Sequence, residues 1–327
     1  MDAWVARHGT VVRELRPDRV PAADELLVRV EACGVCRTDL HVIDGDLPQH
    51  RPHVIPGHQV VGTVVGAGGA ARGFDVGERV GVAWLHRTCG TCRWCRTARE
   101  NLCPHATFTG WDHDGGYAEL VTVPEAFAYP LPLTDEALDL APLLCAGIIG
   151  YRALSRANLP PGGVLGLYGF GSSASITAQL AKAAGATVIA ITRGERNRAL
   201  ARELEVDFVG DEHATPPELL DAAIVFAPVG ALLTQALDAT ARGGTVVSAG
   251  IHMSPIPEID YDRSLFYERD LRSVTANTRA DGAEFLALAR NLHLAPAVTT
   301  YGFDRVDDAL GDLRAGRARG SLVVRMG

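Results

Sequence analysis

Lysine is almost missing from this sequence: Lys182 stands alone among 31 basic residues, the rest being arginine. Together with abundant alanine and glycine this reflects genomic base composition and carries no functional weight. A basic excess is also missing. The net charge is −8, whereas domains that grip a phosphate backbone carry a basic face, so no nucleic-acid partner is expected. Nor does any uninterrupted apolar run reach the roughly 18 residues that a membrane span needs. The opening Met1-Asp2-Ala3-Trp4 lacks a basic start followed by an apolar stretch, and a soluble, cytoplasmic protein with no membrane partner is the expectation. Cysteine is present, but as seven residues in a chain of 327. An odd number in a long chain without a secretory leader argues against a disulfide framework and for metal ligation.

The length fits roughly two domains, and the 47% hydrophobic content is enough to fill both cores. Short β-type runs broken by Gly and Pro, at 26–30, 60–65 and 118–123, predict an irregular, mainly β domain. From about residue 146 the rhythm changes. A helix through 151–154, a buried parallel strand at 164–168, a helix over 172–184, a strand at 187–191 and a helix near 195–204 give βαβα alternation, continued by 222–226, 231–239 and 244–248. That alternation predicts a doubly wound parallel sheet. An amphipathic helix near 283–290 and a strand at 322–325 close the chain and return it to the first domain. The expected division is 1–145 plus 278–327 against 146–277.

Two sulfur-rich sets carry the most information. Cys89, Cys92, Cys95 and Cys103 have the spacing C-x2-C-x2-C-x7-C, that of a closed structural zinc site in which four thiolates complete a tetrahedron. Cys36, His58 and Cys145 form a candidate second set. With three protein ligands a fourth position stays open, and Lewis-acid catalysis becomes possible there.

Gly169-Phe170-Gly171-Ser172-Ser173-Ala174 follows one predicted strand and opens the next helix, the setting that makes a G-x-G-x-x-G/A pattern meaningful. The two glycines permit a tight turn and close approach of a pyrophosphate, whose charge the helix N-terminus favours. At the end of the following strand the chain reads Ala190-Ile191-Thr192-Arg193-Gly194, with no carboxylate until Glu195. A hydroxyl followed by a guanidinium suits a ribose 2′-phosphate, so NADP(H) is favoured over NAD(H). The alternative is a solvated Arg193 with Glu195 turned inward to serve NAD(H).

Cys36-Arg37-Thr38-Asp39-Leu40-His41, Gly57-His58-Gln59-Val60-Val61-Gly62 and Leu143-Leu144-Cys145-Ala146-Gly147 together resemble the zinc-dependent alcohol dehydrogenases of the medium-chain dehydrogenase/reductase superfamily. The resemblance runs over essentially the whole chain, with the cysteine loop and the dinucleotide turn in their expected order. Tyr168-Gly169-Phe170-Gly171 and Gly250-Ile251-His252-Met253-Ser254 are typical of one short bacterial branch. It implies a GroES-like β-rich catalytic domain and a Rossmann domain with the active site between them, two zinc ions per chain, and a homodimer or homotetramer. It further implies that Cys36, His58 and Cys145 hold the catalytic zinc, and that Asp39 orients the His58 ring. Thr38 would pass the substrate's proton through the cofactor ribose to His41, and Arg37 would lie against the pyrophosphate, with Gly250 and Ile251 also at the cofactor. Cys33, two residues short of adjoining Cys36, is expected to be a small buried residue.

In place of the family's usual Glu after the zinc histidine this chain has Gln59, which removes a negative charge from the metal's surroundings. Slower turnover or weaker metal binding is expected. Trp84 matches a bulky substrate-pocket position in related enzymes, with Ile43, Leu47 and Trp111 as further wall candidates. Their apolar character favours aliphatic or aromatic alcohols, aldehydes and ketones over polyols and sugars, and does not identify one substrate. The rival readings are a reductase of C=C or C=N bonds without metal chemistry, and a catalytically silent cofactor-binding protein.

Overall fold

A computed structural model of the chain describes residues 1–48 and 50–327. Two units are distinct: Met1–Cys145 with Ala276–Glu284 and Val298–Gly327, and Ala146–Thr275 with Phe285–Ala297.

The first unit is built on a seven-stranded sheet in which the long strand Glu25–Val35 is central. It pairs antiparallel with Ser321–Arg325 on one side and Val60–Ala67 on the other, and its first residues also pair with Leu120–Pro124. Register shifts between Leu27 and Val28 and between Val30 and Ala32 mark bulges, which bend a strand and re-aim its end. That end delivers Cys36 as the N-cap of the helix Arg37–Asp44. The neighbouring strand Val60–Ala67 begins two residues after His58. Both positions are therefore set by adjacent strands of one sheet. The third, Cys145, follows the short 3-10 turn Ala141–Leu144, whose Leu144 is fully buried. A Cβ on Gly81, in the strand Arg79–Val82, would come within 2.5 Å of the Leu144 side chain, so a glycine here lets that turn pack down on the sheet.

The second unit holds a six-stranded, all-parallel sheet in the order Phe208–Gly210, Thr187–Ile191, Val164–Tyr168, Leu220–Val225, Thr240–Ser248, Asp270–Ser273. Counted along the chain this is the order 3-2-1-4-5-6 of a dinucleotide-binding sheet, with its reversal point between the first and fourth strands. The strands Val164–Tyr168 and Thr187–Ile191 are almost wholly buried, which explains their near-continuous apolar runs.

The carboxy-terminal region departs from its expected assignment. Residues 285–297 pack with the second unit: Phe285 is fully buried, with its ring 6.0 Å from that of Tyr151, and Gln179 bonds both the N–H and the carbonyl of Ala295. The helix Arg279–Asn291 is divided between the units, a split that amphipathic periodicity alone does not reveal. The helices Arg37–Asp44 and Val306–Arg314 were not expected either. Among the described residues no single helix is long and apolar enough to cross a membrane.

Candidate metal centre and dinucleotide turn

Gly57, at φ +95°, turns the chain so that His58 enters the interior, where its side chain is about fully buried at 1% exposure. The ring is oriented from behind: Nδ1 lies 3.0 Å from Asp39 Oδ1. Its Nε2 is buried and has no hydrogen-bond partner among the described residues. The ligand atoms of Cys36, His58 and Cys145 all lie within 4.8 Å of one another. Two sulfurs and one imidazole nitrogen, the last otherwise orphaned, form a donor set that fits zinc with one corner left over.

Asp39 is the support of this cluster. It is 1% exposed and accepts four hydrogen bonds, from Gly57 N (3.2 Å) and His58 Nδ1 at Oδ1, and from Cys36 N (2.8 Å) and the Tyr117 hydroxyl (2.8 Å) at Oδ2. Burial works to lower the His58 pKa, but the Asp39 carboxylate and the Cys36 sulfur outweigh it and raise it to about 10. The surrounding groups thus favour positive charge on the imidazole, which a divalent cation at Nε2 would supply in place of a proton. Cys36 is held well below the usual thiol range, chiefly by its hydrogen bond with Cys145, whose own thiol that bond and burial push well above it.

Thr38 and His41 stand three residues apart on the helix Arg37–Asp44, hence on one face. Thr38 is buried with its hydroxyl 3.6 Å from Cys36 Sγ. His41 meets Asp46, 44% exposed, at 2.8 Å. Arg37 opens the same helix and is exposed. Gln59 is buried, its side chain stacked on the backbone of Gly34, where a Cβ would lie 2.8 Å from its amide carbon. Cys33 is fully buried, as expected, and burial raises its pKa.

Trp84 touches His58 edge-on, with ring centroids 4.8 Å apart, and stacks on Phe108 at 5.0 Å and Trp111 at 5.9 Å. His50 continues the stack 4.2 Å from Trp111. An aromatic wall therefore starts at the zinc-ligand candidate itself. Trp84 and Trp111 stack on one another; Ile43 is 3% exposed in the same core as Trp84, and Leu47, like Trp111, packs against that core. Phe108, His50 and Tyr117 escaped sequence reasoning. Only the aromatic character of Phe108 and Tyr117 offered a signal, because the contacts that matter span up to 78 residues.

In the cysteine loop, Cys89, Cys92, Cys95 and Cys103 converge, with sulfur separations of 3.5 Å for Cys92 to Cys95 and Cys103 to Cys89 and 3.9 Å for Cys89 to Cys95. A tetrahedron with arms of about 2.3 Å has edges of about 3.8 Å, so the four sulfurs fit one zinc. Backbone N–H groups of Cys92 and His105 donate to Cys89 and Cys103. The N–H groups of Thr91 and Cys92 bring the Cys89 thiol down to about 5.

At the dinucleotide turn, Gly169 has φ +84° and a Cβ there would lie 2.9 Å from the Ala227 backbone nitrogen. A Cβ on Gly171 would meet nothing within 4 Å. Gly171 caps the helix Ser172–Ala183 without any side-chain hydrogen bond, so Ser172 and Ser173 head a helix whose first N–H groups face an open approach fit for a pyrophosphate. Thr192 is 3% exposed and its hydroxyl accepts from Phe170 N at 3.0 Å. It fastens the glycine turn to the end of the neighbouring strand. Arg193 is exposed, and its guanidinium has no partner among the described residues. Glu195 does not turn inward; it pairs with Arg198 (3.0 Å) and Arg202 (2.6 Å). Gly250 and Ile251 follow the strand Thr240–Ser248, with Ile251 49% exposed.

Residues 22–133 match the alcohol dehydrogenase GroES-like domain and residues 174–291 the zinc-binding dehydrogenase domain. A probable alcohol dehydrogenase, AdhA, of Mycobacterium tuberculosis (strain CDC 1551 / Oshkosh) is 54% identical over 99% of this chain and 97% of its own length. The chain is a zinc-binding alcohol dehydrogenase of the medium-chain family. An alcohol dehydrogenase of Geobacillus stearothermophilus is 33% identical to it over 92% of this chain and 91% of the relative. Among solved structures, a cinnamyl alcohol dehydrogenase from Sorghum bicolor superposes with a TM-score of 0.90 at 28% identity, covering 99% of this chain and 97% of that one. For a zinc-binding alcohol dehydrogenase the GroES-like and Rossmann-type units expected from the sequence are the ones present.

Proposed function

We propose that this alcohol dehydrogenase interconverts an aliphatic or aromatic alcohol and its aldehyde or ketone by hydride exchange with NADP(H). The observation that carries the reading is the three-ligand cluster: His58 Nε2 is buried with no hydrogen-bond partner among the described residues, lies close to two cysteine sulfurs, and adjoins the aromatic wall that begins at Trp84. Zinc held there by Cys36, His58 and Cys145 would supply Lewis-acid polarisation of a substrate oxygen. The protein's own groups do the rest. Thr38, buried beside Cys36, accepts the alcohol's proton by hydrogen bond. His41 lies one helical turn further and, with Asp46 at the surface, provides the exit of that proton to solvent. Trp84, Phe108 and Trp111 exclude water and offer flat apolar area, which suits aryl groups better than hydroxylated ones. Cys89, Cys92, Cys95 and Cys103 would hold a second, structural zinc.

The cofactor preference rests on charge. Glu195, the carboxylate closest along the chain, is engaged by two arginines, and Arg193 is left to meet a phosphate. Gly169, Gly171, Ser172 and Ser173 would receive the pyrophosphate, and Arg37 is a further candidate contact to it. Self-association belongs to the same reading: among the described residues the strand Asp270–Ser273 is paired on one side only, and Phe266 and Tyr267 just before it are exposed.

The test is to measure zinc per chain and to follow cofactor absorbance with a panel of aliphatic and aryl aldehydes, using NADPH and NADH, before and after chelation. Chelator-sensitive turnover with NADPH supports the reading. No turnover on any carbonyl by protein holding two zinc ions per chain would sink it.

A further inference from the structure

We infer that Tyr117 is a positioning residue for the metal centre, acting through Asp39 to fix the His58 ring; the inference rests on the functional reading above. Tyr117 is fully buried, and it joins the two pieces of chain that must be in register for His58 to ligate. Its backbone N–H donates to Pro56 O at 3.1 Å, beside donations from Gly115 to Ile55 and Gly116 to Gly57. Residues 115–117 therefore clamp the loop that carries His58. Its side chain crosses that loop: a Cβ on Gly57 would lie 2.8 Å from the ring. The hydroxyl ends 2.8 Å from Asp39 Oδ2.

The division of labour on Asp39 makes this bond specific. Oδ1 serves Gly57 N and His58 Nδ1, and Oδ2 serves Cys36 N and Tyr117. Three of the four donors belong to, or directly precede, the ligand candidates Cys36 and His58. Tyr117 is the one fixed point outside them, so it stops the carboxylate from rotating with the ligands it is meant to orient. Without the hydroxyl, Oδ2 keeps one partner in a site closed to bulk water, and the carboxylate is freer to turn and to drag His58 Nε2 off the sulfurs. Outer hydrogen-bond partners of zinc histidines set metal affinity in this way.

The test compares zinc release to a chromophoric chelator from the wild-type protein and from Tyr117→Phe, which keeps the ring. The four-cysteine loop serves as internal reference, its equivalent of zinc being identified by its loss in Cys103→Ser. Removal of an outer-shell partner weakens such centres by about 10- to 100-fold; one hydrogen bond further out, affinity at the three-ligand centre should fall by about 3- to 10-fold, with the reference equivalent unchanged. The same comparison is made on Asp39→Asn. If Tyr117 acts through Asp39, the substitution adds less than about twofold there, because the coupling is already lost. A packing defect would cost the same in both backgrounds, so the cycle reads correctly even if Tyr117→Phe lowers the melting temperature. Cobalt(II) in the three-ligand centre should show a shifted visible band in Tyr117→Phe and none in the cysteine loop. Wild-type release rates in Tyr117→Phe, or an equal factor in the Asp39→Asn background, would overturn the inference alone. Wild-type protein that binds zinc only in the cysteine loop would overturn it together with the functional reading.

Discussion

Replacing Arg193 with alanine separates a phosphate-binding arginine from a surface one. The guanidinium is exposed and has no partner among the described residues, so its removal breaks no internal bond and leaves no buried group unpaired. Arg198 and Arg202, by contrast, are held by Glu195, and their charge is already partly compensated. A hydrogen bond to a charged group contributes about 1.5–3 kcal/mol. Solvent screening at this exposed position favours the lower half of that range. With about 1.4 kcal/mol per decade, kcat/KM for NADPH should fall by about 10- to 30-fold. The value for NADH, which has no 2′-phosphate, should move by less than about threefold. Steady-state assays at 340 nm with both cofactors and one good aldehyde give the two ratios, and raising the salt concentration should shrink the NADPH effect. Equal losses with both cofactors would show that Arg193 shapes the loop rather than reading the phosphate. An unchanged NADPH to NADH ratio would refute the charge argument and return Glu195 to consideration as a ribose ligand.

Cys103→Ser should reduce bound zinc by about one equivalent per chain and expose residues 89–103 to proteolysis, since the loop has two 3-10 turns and little core of its own; metal analysis showing an unchanged content would contradict the four-sulfur site. His86 is fully buried, stacked 3.8 Å from His113, and burial followed by repulsion from His113 depresses its pKa from 6.5 to about 3. A histidine kept neutral in the fold but protonated when unfolded destabilises on acidification, by about 1.4 kcal/mol per pH unit, from about pH 6.5 down towards the depressed value, with no effect above. Urea unfolding between pH 7 and 5 should show that slope, and His86→Leu should lose about one proton of it; an identical slope in the variant would refute the assignment. Tyr168 is fully buried and its hydroxyl has no partner among the described residues, so Tyr168→Phe should be neutral or stabilise by up to about 1 kcal/mol. Destabilisation beyond about 1 kcal/mol in denaturant titration would mean that the hydroxyl is satisfied after all.

The parts of this protein that could be read in the sequence are those in which a local pattern is itself the physical cause. Four sulfurs within 15 positions must lie close together wherever the loop goes, and Gly169-Phe170-Gly171 between an apolar strand and a helix specifies its own turn. The three-ligand centre is different in kind. Cys36, His58 and Cys145 are assembled by a bulged strand end, a glycine at φ +95° and a 3-10 turn packed on Gly81, and only the resemblance to a family joined them in advance. Side chains whose partners lie still further off stayed invisible. Thr192 was singled out because a hydroxyl followed by a guanidinium suits a ribose 2′-phosphate; its bond to Phe170 N is a tertiary contact that no local pattern encodes. Tyr117 had the opposite fate: no sequence pattern singled it out. Its importance lies in one hydroxyl that reaches 78 positions back to Asp39. Sequence patterns name the donors of a metal site well, because donor chemistry is a residue property. They name its supports poorly, because support depends on which buried lone pair is left over once the chain has folded, and in this chain the lone pair at Asp39 Oδ2 is met by Tyr117.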